Sequence, residues 1–162
     1  MIGITVFTPL YNRASLLRDV YESLLKQNYH SFEWVIVDDG STDNAEQIVN
    51  TLIGDAIHTF PISYIWKENG GKHTAINCGV EEAKGELFLI LDSDDTLPAD
   101  SLATIAQYYE QCKGYKDCAG VCGLMAHHDG QLIGTGFPKE PMYESALQFR
   151  YAEKGNVTGD LL

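Results

Sequence analysis

The chain has 162 residues, 44% of them hydrophobic, with six Phe, two Trp and nine Tyr, which is enough for one domain with a substantial core and too apolar for a disordered segment. Eleven Lys and Arg against 23 Asp and Glu give a formal charge of −12, which argues against the broad basic surface that nucleic-acid phosphates require. No apolar run of about 18 residues occurs, so no membrane-spanning helix is expected.

The start, MIGITVFTP, lacks the length and charged lead-in of a secretion signal, and an intracellular, cytoplasmic chain is expected. GITVFTP (3–9) reads as a short strand stopped by Pro9. RASLLRDVYESLLKQ (13–27) reads as a helix with Leu16, Leu17, Val20, Leu24 and Leu25 on one stripe and Asn12 as its N-cap. FEWVIV (32–37) is a second strand, and the helix after it starts near Asp43, which with Glu46 resembles a capping box. ISYIW (62–66) is a third strand, ENGGK a glycine turn, and HTAINCGVEEAKG a helix closed by Gly85. ELFLILD (86–92) is the most apolar strand. Past Pro98 come a helix carrying Leu102, Ile105 and Tyr109, a buried strand CAGVCGLMA (118–126), a hairpin turn at Asp129-Gly130, and a short helix near 143–151. Cys78, Cys112, Cys118 and Cys122 lack the paired spacing of a zinc knuckle and read as buried thiols.

Short strands alternating with helices of ten to fifteen residues predict βαβ units. The expected fold is a three-layer α/β/α domain with a mainly parallel sheet, and residues 1–162 read as a single domain.

Ligands of such sheets sit beyond the carboxyl ends of the strands. Those ends carry Thr8-Pro9-Leu10-Tyr11-Asn12-Arg13, Asp38-Asp39-Gly40-Ser41, Lys67 to His73, and Asp92-Ser93-Asp94-Asp95. Asp before Gly is also an ordinary turn residue. Five carboxylates meeting in one crevice, however, repel by roughly 1 to 4 kcal/mol per close pair. A cation relieves that repulsion, and an all-oxygen donor set suits Mg2+ or Mn2+, which can then hold a diphosphate. Tyr11 is placed to lie flat against a base. Lys72 and His73 open a helix, where N–H groups and the dipole favour anions. His127 and His128 fall on opposite faces of a strand and form no ligand pair.

TPLYNR, VIVDDGSTD, ENGGKHTAINCG and LFLILDSDDTLP, in this order and spacing, resemble the family 2 glycosyltransferases, whose nucleotide-binding half has the GT-A fold. The likeness is close over about 3–100 and looser beyond. It implies transfer of a sugar, with inversion, from a nucleoside-diphosphate donor, often UDP-linked, to the hydroxyl of a glycan or lipid-linked acceptor, in polysaccharide or glycan assembly at the inner face of a membrane. By the same resemblance Pro9 and Tyr11 line the base, Asp39 accepts from it, and Asn69, Gly70 and Lys72 border the nucleotide. Asn12, Arg13 and Asp38, in the same motifs, and Ser93 are further nucleotide-binding candidates. Asp92-Ser93-Asp94 is the D-x-D motif touching ribose and metal, with Asp94 and Asp95 alternative principal ligands. Relatives often carry Arg where this chain has Ile76 beside Asn77, and Lys72 or His73 is a substitute. They also continue into an acceptor-binding half that supplies the catalytic base. The chain therefore reads as a piece of such an enzyme, with its base beyond Leu162. A non-catalytic nucleotide-sugar-binding module is the alternative. Neither donor sugar nor oligomeric state is legible.

Overall fold

The computed structural model describes residues 3–56, 59–127, 129–134 and 136. Those up to Ala119 form one compact unit, and those from Gly120 form a second.

The first unit runs β1 (Ile4–Leu10), a 3-10 turn (Ala14–Leu16), α1 (Leu17–Leu25), β2 (Phe32–Asp38), α2 (Ala45–Ala56), β3 (Ile62–Trp66), α3 (Lys72–Glu82), β4 (Leu87–Ile90) and α4 (Ser101–Cys112). The strands pair in the order β3-β2-β1-β4, all parallel. Strand order thus reverses after β3, and β1 lies between β2 and β4.

Both faces of the sheet are covered, which is why β2 is buried along its whole length. On one face Ile4, Val6, Trp34, Ile36 and Leu89 pack with Leu17, Val20 and Leu24 of α1, Val49 and Leu52 of α2 and Leu102 of α4. The other face is thinner. There Phe7, Val35 and Val37 meet Ala75, Ile76 and Cys78 of α3, with Phe88 stacked on Phe7 at 5.1 Å. This is the expected three-layer α/β/α arrangement.

Several local expectations are corrected. Pro9 does not stop β1; it pairs in register with Val37. Leu91 N–H donates to Phe7 O and Asp39 N–H to Leu10 O, so alternation points the Pro9 nitrogen toward the β4 side. Pairing with β4 ends at Phe7 and Ile90, and the missing N–H therefore costs no ladder bond. Asn12 does not cap α1. Its backbone is left-handed (φ 51°), a conformation Asn tolerates, and its Oδ1 accepts from Thr42 N–H at 2.8 Å. The cap comes from another element: Asp43 Oδ2 accepts from Ala14 N–H at 3.0 Å while its Oδ1 accepts from Ala45 N–H at 3.3 Å. One carboxylate thus serves the 3-10 turn that leads into α1 and the first turn of α2. Of the apolar stripe, Leu17, Val20 and Leu24 are buried and Leu25 is exposed.

Gly85 does not close α3 by a left-handed cap. Ala83 already leaves the helix in an extended conformation, and a Cβ on Gly85 would lie 2.3 Å from Thr5 N. Glycine is needed there for close backbone approach. At that end of the sheet buried Glu33 Oε1 accepts from Thr5 Oγ1 at 2.8 Å and from Lys84 N–H at 2.7 Å, which ties the α3–β4 connection to β1 and β2.

The expected strand at 118–126 does not form. None of these residues is buried, and among the described residues Ala126 makes a single antiparallel bridge to Leu132. Gly120 and Gly123 supply no side chain to hold a strand against a core. The Asp129-Gly130 turn is present: Gly130 has φ 84°, and His127 N–H donates to Gln131 O at 2.8 Å. The four cysteines are free thiols, but only Cys112 is buried. Burial and its contact with Cys118 push the Cys112 thiol up to about 11. The expected helix at 143–151 lies outside the described residues.

Helix α3 has little apolar surface, and its position depends on Gly79, where a Cβ would fall 2.3 Å from Phe7 Cε2. Gly79→Ala is expected to destabilise the protein by about 1–3 kcal/mol through overpacking, measured by urea denaturation. An unchanged midpoint would show that α3 does not press on Phe7.

Candidate functional site

Because the four strands run parallel, Leu10, Asp38, Trp66 and Ile90 end at one edge of the sheet. The loops that follow carry the residues singled out in the sequence.

The two adjacent carboxylates at the end of β2 point to different partners. Asp38 is buried; its Oδ2 accepts from Tyr64 Oη at 2.6 Å and its Oδ1 from Ser41 N–H at 2.7 Å. Burial, the hydrogen bond to Asp38 and the charges of Asp38, Glu46 and Asp43 push the Tyr64 phenol well above its ordinary value, so it stays a donor. Asp39 is also buried. Its Oδ1 accepts from Lys67 Nζ at 2.5 Å and Gly70 N–H at 3.0 Å, and its Oδ2 from Gly71 N–H at 2.7 Å. Burial alone would raise the Asp39 carboxyl. The Lys67 hydrogen bond, the two backbone donors and the Lys67 charge outweigh it and hold the group below 3.8.

Gly40 makes this approach feasible. It has φ 81°, and a Cβ there would lie 2.8 Å from Asn69 N. Asn69 Nδ2 donates to Asp39 O at 2.8 Å, and Gly71, with φ 92°, turns the chain into α3. The anion at the start of α3 is thus the protein's own Asp39.

The carboxylates after β4 are different. Ser93 is buried and Asp95 N–H donates to Asp92 O at 3.0 Å, forming a tight turn. One oxygen each of Asp92, Asp94 and Asp95 lies within 4.8 Å of the others. Lys72 Nζ contacts both oxygens of Asp92, at 2.7 and 2.8 Å, and Arg13 Nη1 donates to Asp94 Oδ2 at 2.8 Å. These side chains are about half exposed, from 39% for Asp92 to 54% for Asp94. The positions of α1's approach, α3's first residue and the β4 loop are therefore linked by charge.

The expectation that all five carboxylates crowd one crevice is corrected. The 38–39 and 92–95 loops do share one edge of the sheet, but Asp38 and Asp39 are held by internal donors, and among the described residues only Asp92, Asp94 and Asp95 form a group with oxygens close enough to chelate. Lys72 and Arg13 reach that group, Tyr11 is exposed nearby in sequence, and Pro9 lies in the strand before it. Asn12 is committed to the 41–42 turn, since its N–H also donates to Ser41 Oγ at 2.9 Å. Asn69 and Gly70 hold Asp39. Sequence reasoning gave no role to Lys67, Tyr64 or Thr74, whose hydroxyl accepts from Lys67 Nζ at 2.8 Å. Sheet register was the only signal available: Tyr64 lies two residues before Trp66, the partner of Asp38.

The profile of the family described as "Glycosyl transferase family 2" matches residues 5–155. The chain belongs to this family. Glycosyltransferase GlyG of Streptococcus pneumoniae is 35% identical over 127 residues, which is 78% of this chain and 40% of that protein. Chondroitin synthase of Pasteurella multocida is 32% identical over 134 residues, 83% of this chain and 14% of that one. Among solved structures, S. aureus TarS 1-349 in complex with UDP superposes with a TM-score of 0.61 at 29% identity, covering 67% of this chain and 32% of that one. Mannosyltransferase PcManGT from Pyrobaculum calidifontis, in complex with GDP-Man and Mn2+, gives 0.62 at 30%, covering 65% and 32%. This family 2 chain thus has the GT-A fold, and it spans less than half the length of each of these proteins.

Asp39→Ala would remove the counter-charge of Lys67, which keeps its contacts to Thr74 Oγ1 and Glu68 O, and leave the Gly70 and Gly71 N–H groups without their acceptor, and is expected to cost about 3 kcal/mol near neutral pH. The native Asp39 carboxyl is held below 3.8, so the unfolded chain takes up the proton first. The stabilisation is therefore complete well above pH 3.8 and is lost as pH falls below it. Denaturation curves of wild type and variant across that range check both the size and the sign; a gap that widens on acidification would contradict them.

Proposed function

We propose that the protein is the donor-binding part of an inverting glycosyltransferase that moves a sugar from a nucleoside-diphosphate donor, most simply a UDP-sugar, to an acceptor hydroxyl in polysaccharide or glycan synthesis. The observation that carries this is the chelating group Asp92, Asp94 and Asp95 at the end of β4, beside two cationic side chains and on the edge where α/β sheets bind nucleotides. The nucleotide complexes of TarS and of PcManGT support a nucleotide-sugar donor.

The donor set is all carboxylate oxygen, which fits Mg2+ or Mn2+ and not a soft metal. When bound, the ion supplies charge neutralisation of the departing diphosphate. The protein's own residues do the rest. Asp92 faces ribose and ion, and Asp94 and Asp95 hold the ion. Ser93, buried in the turn, fixes the spacing of the carboxylates. Tyr11, half exposed after β1, stacks on the base, with Pro9 behind it. Asp39 and the Asn69–Gly71 segment border the base, since among the described residues Oδ2 of Asp39 accepts from Gly71 N–H and has room for a second donor. Lys72 and Arg13 are the cations nearest the diphosphate. No base for the acceptor hydroxyl is assigned to these residues.

In this reading the acceptor is a glycan or lipid-linked hydroxyl, and the enzyme works on the cytoplasmic side of a membrane. Among the described residues no helix is long and apolar enough to cross a membrane.

Calorimetric titration with UDP is the direct test. Wild type should bind UDP with Mn2+ present and lose at least about tenfold in affinity with EDTA, equivalent to roughly 1.4 kcal/mol. Asp94→Ala should bind UDP weakly and equally with and without metal. UDP affinity that ignores both EDTA and Asp94→Ala would remove the metal assignment.

A further inference from the structure

We infer that Lys72 and Arg13 act as built-in counter-ions for the acidic group after β4, so that a divalent ion alone binds poorly and enters together with a diphosphate. This deepens the reading of the same site given above and rests on it.

Three carboxylates with oxygens inside 4.8 Å repel one another strongly enough to splay apart without positive charge among them. The chain supplies that charge. Lys72 Nζ lies 2.7 and 2.8 Å from the two oxygens of Asp92, and Arg13 Nη1 lies 2.8 Å from Asp94 Oδ2. Lys72 comes from the first residue of α3 and Arg13 from the turn before α1, twenty and eighty-one positions from their partners. Neither pair is a local helix pair.

An ion bound to Asp92 must remove the Lys72 ammonium from at least one oxygen, since Lys72 contacts both, and an ion on Asp94 either displaces Arg13 from Oδ2 or sits on Oδ1 with the guanidinium close by. Both cations sit on half-exposed, flexible side chains, so displacement requires no backbone change. A displaced ammonium or guanidinium left beside a bare dication gains nothing. Beside a diphosphate, the same two groups exchange a carboxylate partner for phosphate oxygens, for which Arg offers a planar fork and Lys a mobile point charge. The pairs therefore oppose the ion alone and favour the ion with its diphosphate. They also keep the 92–95 turn in a chelating shape beforehand.

Lys67 is the contrasting case on the same edge. Its ammonium is enclosed with Asp39 and Thr74, with the Asp39 side chain only 6% exposed, and it stays where it is.

The test uses Mn2+ as probe, with free ion measured by electron paramagnetic resonance, on the 162-residue chain and its Lys72→Met and Arg13→Met/Lys72→Met variants. An exposed ion pair shifts an equilibrium by about two- to fivefold. Lys72→Met should therefore bind Mn2+ alone about two- to fivefold more tightly than wild type, and the double variant roughly tenfold more tightly. With UDP present the order should invert, both variants binding UDP and Mn2+ less tightly than wild type. Variants that bind Mn2+ alone no better than wild type, while all three proteins bind UDP with Mn2+, would overturn the counter-ion role and leave the donor-site reading intact. Tighter Mn2+ binding by the variants with no UDP binding by any protein would leave Lys72 and Arg13 as counter-ions of the bare acidic group and overturn both the joint entry of ion and diphosphate and the donor-site reading.

Discussion

The buried carboxylate of Asp39 is the constraint on which the ligand-facing edge depends. It sits at the end of the most buried strand and accepts from Lys67 and from the N–H groups of Gly70 and Gly71. Those bonds fix the route from β3 into α3 and thereby the position of Lys72, the first residue of that helix. A backbone that must pass so close to a carboxylate requires glycine at Gly40 and Gly71, both with positive φ. The sequence Asp-Asp-Gly is thus one device: Asp38 locks β2 to β3 through Tyr64, Asp39 locks β2 to α3, and Gly40 lets the chain turn away.

The acidic composition then divides into two populations. Asp38, Asp39 and Asp43 are spent largely on donors of the scaffold, Asp43 on the 3-10 turn before α1 and the first turn of α2 at once. Asp92, Asp94 and Asp95 are partly exposed, and Lys72 and Arg13 pair with the first two of them through half-exposed side chains. The first population builds a rigid rim, and the second is the chemistry it presents. In the proposed function, a protein of charge −12 would attract a diphosphate locally, through an ion and two basic side chains, despite repelling anions at long range.

Much of this was legible from the chain. Periodicity identified every strand and helix of the first unit, because each apolar run has a length and flank that suit only one element, as in FEWVIV before the DDG turn. The sheet-edge location of the chemistry followed from the βαβ order alone. What was not legible is whatever depends on partners distant in sequence. Asn12 looked like a cap because it precedes a helix, yet the capping oxygen arrives from Asp43. Gly85 looked like a helix terminator, yet the reason for glycine is Thr5, eighty residues earlier. The run at 118–126 is apolar enough for a strand but contains two glycines and none of its residues is buried. Asp38 and Asp39 could not be separated from Asp92 and Asp94 without knowing which donors face them.

That division of carboxylates can be tested most directly by crystallography of the chain with Mn2+ and UDP, using the anomalous signal of manganese to locate the ion. The account predicts one strong peak within about 2.3 Å of oxygens from the 92–95 turn, with Asp38 and Asp39 still bound to Tyr64 and to Gly70 and Gly71. A peak ligated by Asp38 or Asp39, or bound UDP with no manganese at the 92–95 turn, would contradict it.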